Sequence, residues 1–249
     1  MKTALKVIVT LIVLAGAGTY GYLYYSAQQG YAAPAAAALA AMESDSQVTV
    51  QDGDWVVMRP ASTTPTRGVI VYPGAYCDVR GYAPLMRPMA AAGWLVVGVK
   101  MPLNLSLLAP GRADKVRAAY PEIDEWVMVG HSLGGSMVGV YASEHPGELA
   151  GVIFWDSYPP ESNSLADQNM PAVHIHRATL DGEPPEKFKK MRATFPPDNK
   201  WVPVPGGIHM YFGAFDGGGY NEEWTPKISN EAQLELATAA TLAALERMQ

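Results

Sequence analysis

A mostly parallel α/β sheet with helices on both faces is the fold class that this 249-residue sequence predicts. Three observations point to it. Short apolar runs of strand length alternate with segments carrying apolar residues at helical spacing. The runs lack the in–out alternation of a half-exposed strand, as parallel strands covered on both faces require. One run, Trp126-Val-Met-Val-Gly-His-Ser-Leu-Gly-Gly135, passes through a Gly-x-Ser-x-Gly turn into a helical segment of small residues.

In chain order, residues 47–50 and 55–58 flank Asp52-Gly53 and predict a β-hairpin, which supplies antiparallel edge strands. Residues 69–72 form a short strand that ends at Pro73-Gly74. Residues 82–92 have helical spacing and Gly93 as C-cap, and 94–99 are the next strand. A helix over 112–120 stops at Pro121. The strand at 126–129 and the helix at 136–143 follow, then strands at 149–155 and 171–176. A helix with a charged face covers 184–195, and 201–204 is the last strand. The closing helix, 230–248, lines up Leu234, Ala237, Thr241, Leu242 and Leu245 on one stripe. Strands alternating with helices imply right-handed crossovers, and no repeat or second domain is visible. One domain, 43–249, accounts for the pattern.

The first residues differ in kind. Lys2 and Lys6 precede a run, 7–25, of 19 residues without a charge, and no acidic residue appears before Glu43. At ~1.5 Å per residue such a helix nearly matches the roughly 30 Å hydrocarbon core of a bilayer. Tyr20, Tyr22, Tyr24 and Tyr25 suit its interfacial end. Residues 1–28 are therefore expected to be an uncleaved signal-anchor with the domain on the extracytoplasmic side. The alternative is a signal peptide cleaved near Ala15-Gly16-Ala17, which releases a secreted or periplasmic protein. Residues 29–42, rich in Ala, are expected to be a tether with a short helix.

Composition narrows the function. A net charge of −6 and no basic cluster longer than Lys189-Lys190 argue against nucleic acid as a partner. Cys77 is the only cysteine, so no intramolecular disulfide forms. Nothing around it forms a nucleophile turn, and it is expected to be a partly buried bystander.

Strand, tight turn and helix make Ser132 the candidate nucleophile. A serine hydroxyl needs an adjacent base, itself oriented by a carboxylate, and such groups gather at the carboxyl ends of strands. His209 is the candidate base, because it follows a strand and the Gly206-Gly207 turn. Asp181 is the preferred acid, after the penultimate strand in Ala-Thr-Leu-Asp-Gly. Asp156 is its rival, after the strand at 149–155. Two N–H donors are needed for an oxyanion, and Leu133 and Ala75 are the candidates. Tyr76, Asp156 and His176 are expected near the pocket. His174 and His176 form an H-x-H pair, but no third ligand is positioned by sequence, so no metal is expected. His131 is expected to pack beside the turn.

Several segments together carry a family resemblance: Tyr72-Pro-Gly-Ala75, Met101-Pro-Leu-Asn-Leu105 with Arg112-Ala-Asp114, Gly130-His-Ser-Leu-Gly-Gly135, Leu180-Asp-Gly182, and Gly206-Gly-Ile-His-Met-Tyr-Phe-Gly213. The chain resembles the α/β-hydrolases, specifically the small membrane-anchored subgroup with an "alpha/beta hydrolase fold-5" type domain, distantly similar to dienelactone hydrolases. The resemblance spans roughly 47–249. It implies an α/β-hydrolase fold and a carboxylesterase-like enzyme that needs no cofactor. Such an enzyme hydrolyses a small-molecule ester, thioester or similar acyl substrate through an acyl-enzyme intermediate. Two departures stand out. Ala75 occupies a position where this subgroup usually has a second Gly. Ser132 stands where dienelactone hydrolases use Cys, so lactone hydrolysis is not implied. Only about 14 residues, 157–170, separate two successive strands, which leaves little material for a cap and predicts an open site. A non-catalytic anchored binding protein that kept the fold is the competing expectation.

Overall fold

The computed structural model describes residues 2–248. Met1 and Gln249, the outer ends of the expected anchor and catalytic domain, lie outside the described residues. The chain begins with the long helix α1 (Lys2–Gly30), the short strand β1 (Ala32–Pro34) and one turn of helix, α2 (Ala36–Ala40). The strands β2 (Val48–Asp52), β3 (Trp55–Pro60) and β4 (Arg67–Tyr72) lead to helix α3 (Ala83–Ala91). Then come β5 (Leu95–Val99), α4 (Arg112–Ala119), β6 (Glu125–His131), α5 (Leu133–Glu144) and β7 (Gly151–Trp155). The chain closes with β8 (Ala172–Ala178), α6 (Glu186–Met191), β9 (Asn199–Pro205), β10 (Phe215–Gly217) and α7 (Asn230–Arg247).

Eight strands form the main sheet in the order β2-β3-β5-β4-β6-β7-β8-β9. The β2–β3 and β3–β5 pairings are antiparallel and the rest parallel. The hairpin is thus an edge, as expected. Every residue of β5, β7 and β8 is buried, which explains the unbroken apolar runs of β5 and β7; β8 buries His174, His176 and Arg177 among its apolar residues. Along β4 successive residues enter opposite layers. Val69 and Val71 face the core under α3 and α7, while Ile70 and Tyr72 face the core under α4 and α5. Pro203 and Pro205 are tolerated in β9 because it is an edge strand, where a missing N–H breaks no ladder.

The segment 29–42 is not a free tether. β1 pairs antiparallel with β10, Ala32 bridges to Cys77, and Ala32 and Ala38 are fully buried. The run of Ala favours this outcome, since methyl side chains let the backbone approach the domain and lose no rotamer entropy there. The packed body therefore begins near Ala32, some ten residues before the expected boundary at residue 43. In contrast, α1 from Leu5 onward is long and apolar enough to cross a membrane, and its apolar window is not buried against the domain.

Candidate active site

Ser132 sits between β6 and α5 with φ 52° and ψ −124°, a left-handed backbone that strains a residue with a Cβ. The glycines of the motif make the turn possible. A Cβ on Gly130 would lie 2.5 Å from the Gly135 Cα, and one on Gly134 only 2.3 Å from the Tyr72 carbonyl oxygen. The Ser132 N–H donates to the Trp155 carbonyl at 3.2 Å, and the Ser157 hydroxyl donates to the Ser132 carbonyl at 2.5 Å. The strained turn is thereby fixed to the end of β7.

His209 opens a short 3-10 turn after β9, at 3% exposure. Gly206, at φ 76°, reverses the chain before it. The loop is clamped from outside: both Glu222 carboxylate oxygens accept from the N–H groups of His209 and Met210, at 2.9 and 2.8 Å. Gln233 of α7 exchanges two hydrogen bonds with the Ile208 backbone, at 2.9 and 2.8 Å. The imidazole therefore stands with Nε2 2.9 Å from Ser132 Oγ and Nδ1 2.5 Å from an Asp156 carboxylate oxygen. Tyr220 stacks on its other face, with ring centroids 3.9 Å apart.

The carboxylate that faces His209 is Asp156. Asp181, the preferred candidate, is exposed in a turn that closes on itself: Gly182 N–H donates to the Thr179 carbonyl, and Thr179 N–H to the Glu183 carbonyl, each at 2.9 Å. Asp181 makes no hydrogen bond or ion pair among the described residues. The reason lies in the sheet. β7 is the immediate neighbour of β6, the strand that leads into Ser132, whereas β8 lies one strand further away. Trp155 pairs with Ile175, so β8 continues to Ala178, past the level of Asp156, before it turns.

Asp156 is 2% exposed and, at φ 49°, also left-handed. One carboxylate oxygen accepts the Arg177 N–H at 2.8 Å; the other takes His209 Nδ1–H and an Arg177 guanidinium N–H. Burial alone would raise this carboxyl. The His209 hydrogen bond and the charges of His209 and Arg177 outweigh it and hold Asp156 well below the usual carboxylate range. Arg177 also pairs with Glu223 at 3.0 Å, so its buried charge is shared between two carboxylates.

His131 does more than pack. The Gly74 N–H donates to Tyr82 Oη at 2.9 Å, and the Tyr82 O–H donates to His131 Nδ1 at 2.8 Å. His131 Nε2–H then reaches the His209 carbonyl at 3.1 Å, which assigns the tautomer. Burial, followed by the charge of His209, pushes the His131 pKa far down, so the ring is neutral. This chain of hydrogen bonds ties the turn at 73–76 to the His209 loop. The Tyr76 N–H is likewise spent, on the Asn104 carbonyl at 2.7 Å. The N–H groups of Ala75 and Leu133 are left without an acceptor among the described residues.

A cavity of about 260 Å³ opens over Ser132 and His209. Ala75 and Tyr76 line it, as do Tyr220 and, from the N-terminal segment, Gly30 and Ala32. The segment between β7 and β8 holds only one 3-10 turn, as expected, but the walls come from elsewhere, namely the end of α1 and residues 218–220. His176 does not line the cavity; it packs beside Phe188 and Trp201. Cys77 lines it but is buried, which pushes its thiol up to about 11. No group of three His, Cys, Asp or Glu among the described residues is arranged to hold a metal. A larger cleft, about 700 Å³, lies between α2, α3 and α7, away from Ser132. Arg177, Tyr220, Gly30 and the Tyr82–His131 relay were not legible in the sequence. Arg177 stands in a strand, Tyr220, Gly30 and Tyr82 come from distant segments with no motif of their own, and His131, though inside the Gly-x-Ser-x-Gly turn, gives no sign in the sequence of its partners.

Residues 68–235, two thirds of the chain, match the model of the alpha/beta hydrolase family. The chain belongs to that family. No curated protein sequence matches this hydrolase, but solved structures match its fold. A soluble variant of monoglyceride lipase from Saccharomyces cerevisiae aligns at 11% identity and a TM-score of 0.58, covering 84% of this chain and 97% of the other. A membrane phospholipase A, described as a bacterial virulence factor, aligns at 12% identity and a TM-score of 0.57, covering 100% and 99%. A dienelactone hydrolase from Klebsiella pneumoniae aligns at 15% identity and a TM-score of 0.55, covering 78% and 92%. At these identities the likeness concerns the fold. Family and fold together identify this alpha/beta hydrolase as a hydrolytic enzyme.

Proposed function

We propose that the protein is a membrane-anchored serine hydrolase of acyl esters or thioesters, acting through an acyl-enzyme intermediate. The observation that carries this reading is the relay from Asp156 through His209 to a strained, cavity-lining Ser132, at 2.5 and 2.9 Å. In this reading Ser132 Oγ attacks the acyl carbon while His209 Nε2 takes its proton. The N–H groups of Ala75 and Leu133 stabilise the resulting oxyanion. His209 then returns the proton to the leaving alcohol or thiol, and a water activated by the same imidazole hydrolyses the acyl-Ser132 ester. Asp156 fixes the His209 tautomer and stabilises the imidazolium. Lys2 and Lys6 ahead of the apolar span orient the domain to the extracytoplasmic side.

Serine-reactive fluorophosphonate should label the full-length protein at Ser132, and Ser132→Ala should lose both the label and esterase turnover, by about 10³-fold or more. An unlabelled, inactive wild-type protein would favour a non-catalytic binding role for the fold. Labelling that survives Ser132→Ala would move the nucleophile elsewhere.

A further inference from the structure

The N-terminal helix is joined by direct contacts to the mouth of the cavity over Ser132. α1 is helical to Gly30, which lines the cavity and packs so closely on Tyr76 that a Cβ there would meet the ring at 2.7 Å. Two residues later the chain is stitched to the turn beside Ser132. Ala32 N–H donates to the Tyr76 carbonyl at 3.1 Å, Asp78 N–H donates to the Ala32 carbonyl at 3.0 Å, and Tyr31 Oη donates to Asp78 at 2.7 Å. No flexible linker separates membrane span and site. The height of the mouth above the bilayer therefore follows from helix geometry. Tyr20, Tyr22, Tyr24 and Tyr25 are all at least half exposed and mark the interfacial belt. Gly30 lies five residues beyond Tyr25, or about 7.5 Å along the axis. A bilayer's polar layer is roughly 5–7 Å thick on each side of its hydrocarbon core. The mouth thus stands at the level of the lipid headgroups.

A second element reaches lower. The loop 102–108 lies alongside α1, and Pro102, Leu103 and Leu108 share a cleft of about 610 Å³ with Gly16, Tyr20 and Leu23. Tyr20 and Leu23 belong to the interfacial belt and Gly16 lies about one turn below it, so the loop reaches from the belt to the edge of the hydrocarbon core. Its exposed side chains suit that depth: Leu107 and Leu108 are 47% and 40% exposed. The loop is also tied to the turn beside Ser132, by Tyr76 N–H on the Asn104 carbonyl and Ser106 Oγ on the Pro73 carbonyl, both 2.7 Å. The loop thus joins the apolar cleft beside α1 to the turn that lines the cavity over Ser132.

We infer that this loop inserts in the bilayer beside α1, and that the substrate is the acyl ester of a membrane lipid, entering from the membrane along that cleft. The inference rests on the anchored-hydrolase reading above. It is tested on the full chain reconstituted in phosphatidylcholine–phosphatidylglycerol vesicles carrying monoacylglycerol. A nitroxide on Leu108→Cys reports depth, and Cys77, buried with a raised pKa, leaves that label selective. The label should be accessible to oxygen and shielded from a water-soluble nickel chelate, whereas a label on the exposed Glu186→Cys should show the reverse. A Leu108 label open to the chelate overturns the inference. So does one shielded from both reagents, which marks a protein partner in the cleft.

The second arm compares substrates. Leu107→Asp with Leu108→Asp should lower hydrolysis of vesicle-borne monoacylglycerol by about 10-fold or more and change turnover of a soluble acetate ester by less than about 2-fold. Equal effects on both esters, or wild-type activity on the soluble ester alone, overturn the lipid substrate while leaving the hydrolase reading intact. Wild-type failure on both esters overturns the hydrolase reading, and the depth measurement still decides whether the loop is in the bilayer.

Discussion

Asp156 and Asp181 both follow strands of one sheet, at the same edge, in short loops. Asp156 is buried, held in a left-handed backbone and surrounded by His209 and Arg177. Asp181 is exposed in a turn whose backbone hydrogen bonds are satisfied locally. Position after a strand is thus a poor guide to which carboxylate a histidine meets. The informative differences are adjacency to the strand that leads into Ser132, a strained conformation and a fixed cationic partner.

The largest test of that contrast is Asp156→Asn. An amide in its place keeps the geometry but neither favours the Nδ1–H tautomer of His209 nor stabilises its cation. The catalytic rate should fall by about 10²–10⁴-fold. A loss under about 3-fold in steady-state esterase assays would break the comparison.

Arg177 comes next. Arg177→Met leaves the Asp156 charge buried with one partner fewer, which costs about 3 kcal/mol, or about 6–12 °C in Tm. It should also lower kcat about 10-fold with KM little changed, because His209 loses a fixed carboxylate rather than substrate contact. Arg177→Lys should recover part of both. A Tm drop without any kcat effect would make Arg177 purely structural.

The buried side of the contrast also predicts a pH dependence of stability. Burial pushes the pKa of His131, His174 and His176 below the ordinary value. Below about pH 6.5 the unfolded chain binds protons that the native chain refuses. Stability is therefore whole above that pH and falls as pH drops, by up to about 1.4 kcal/mol per pH unit for each ring. Asp156, depressed below the usual carboxylate range, adds a loss of the same sign below about pH 4. Neither ring nitrogen of His174 has a hydrogen-bond partner among the described residues. His174→Phe should therefore shrink the fall in Tm between pH 7 and pH 5; an unchanged fall would assign it to other groups.

The smallest effect is reserved for Asp181→Asn. It should change kcat/KM by less than about 2-fold and Tm by less than about 1 °C, as is usual for an exposed residue without partners. A rate loss larger than that of Asp156→Asn would reverse the assignment.

Much of the site was nevertheless readable. Ser132 was marked by two glycines whose need is local: both sit where a Cβ would strike backbone. His209 was marked by a strand followed by Gly206-Gly207. Ala75 was chosen from its place after the strand at 69–72; that the N–H groups of its neighbours Gly74 and Tyr76 are engaged was visible only in the structure. Asp181 was preferred over Asp156 because two equivalent sequence contexts existed, and the quantity that decides which carboxylate faces His209 is strand order. Tyr220 and Gly30 were invisible for a related reason, since each reaches the cavity from a segment far from Ser132 in the chain.

By itself the sequence determined the alternation of strand and helix, the buried character of the parallel strands, the nucleophile turn and the apolar N-terminal helix. All of these are written in local spacing, where residues a few positions apart meet whatever the rest of the chain does. Tertiary structure alone decided that β7 rather than β8 flanks β6, the strand that leads into Ser132, and hence that Asp156 faces His209. It also decided that Arg177 lies behind that carboxylate, and that the Ala-rich segment pairs with β10 rather than hanging as a tether. These are contacts between segments far apart in sequence. They depend on which strand pairings bury the most apolar surface over the whole chain, and no local pattern carries that information.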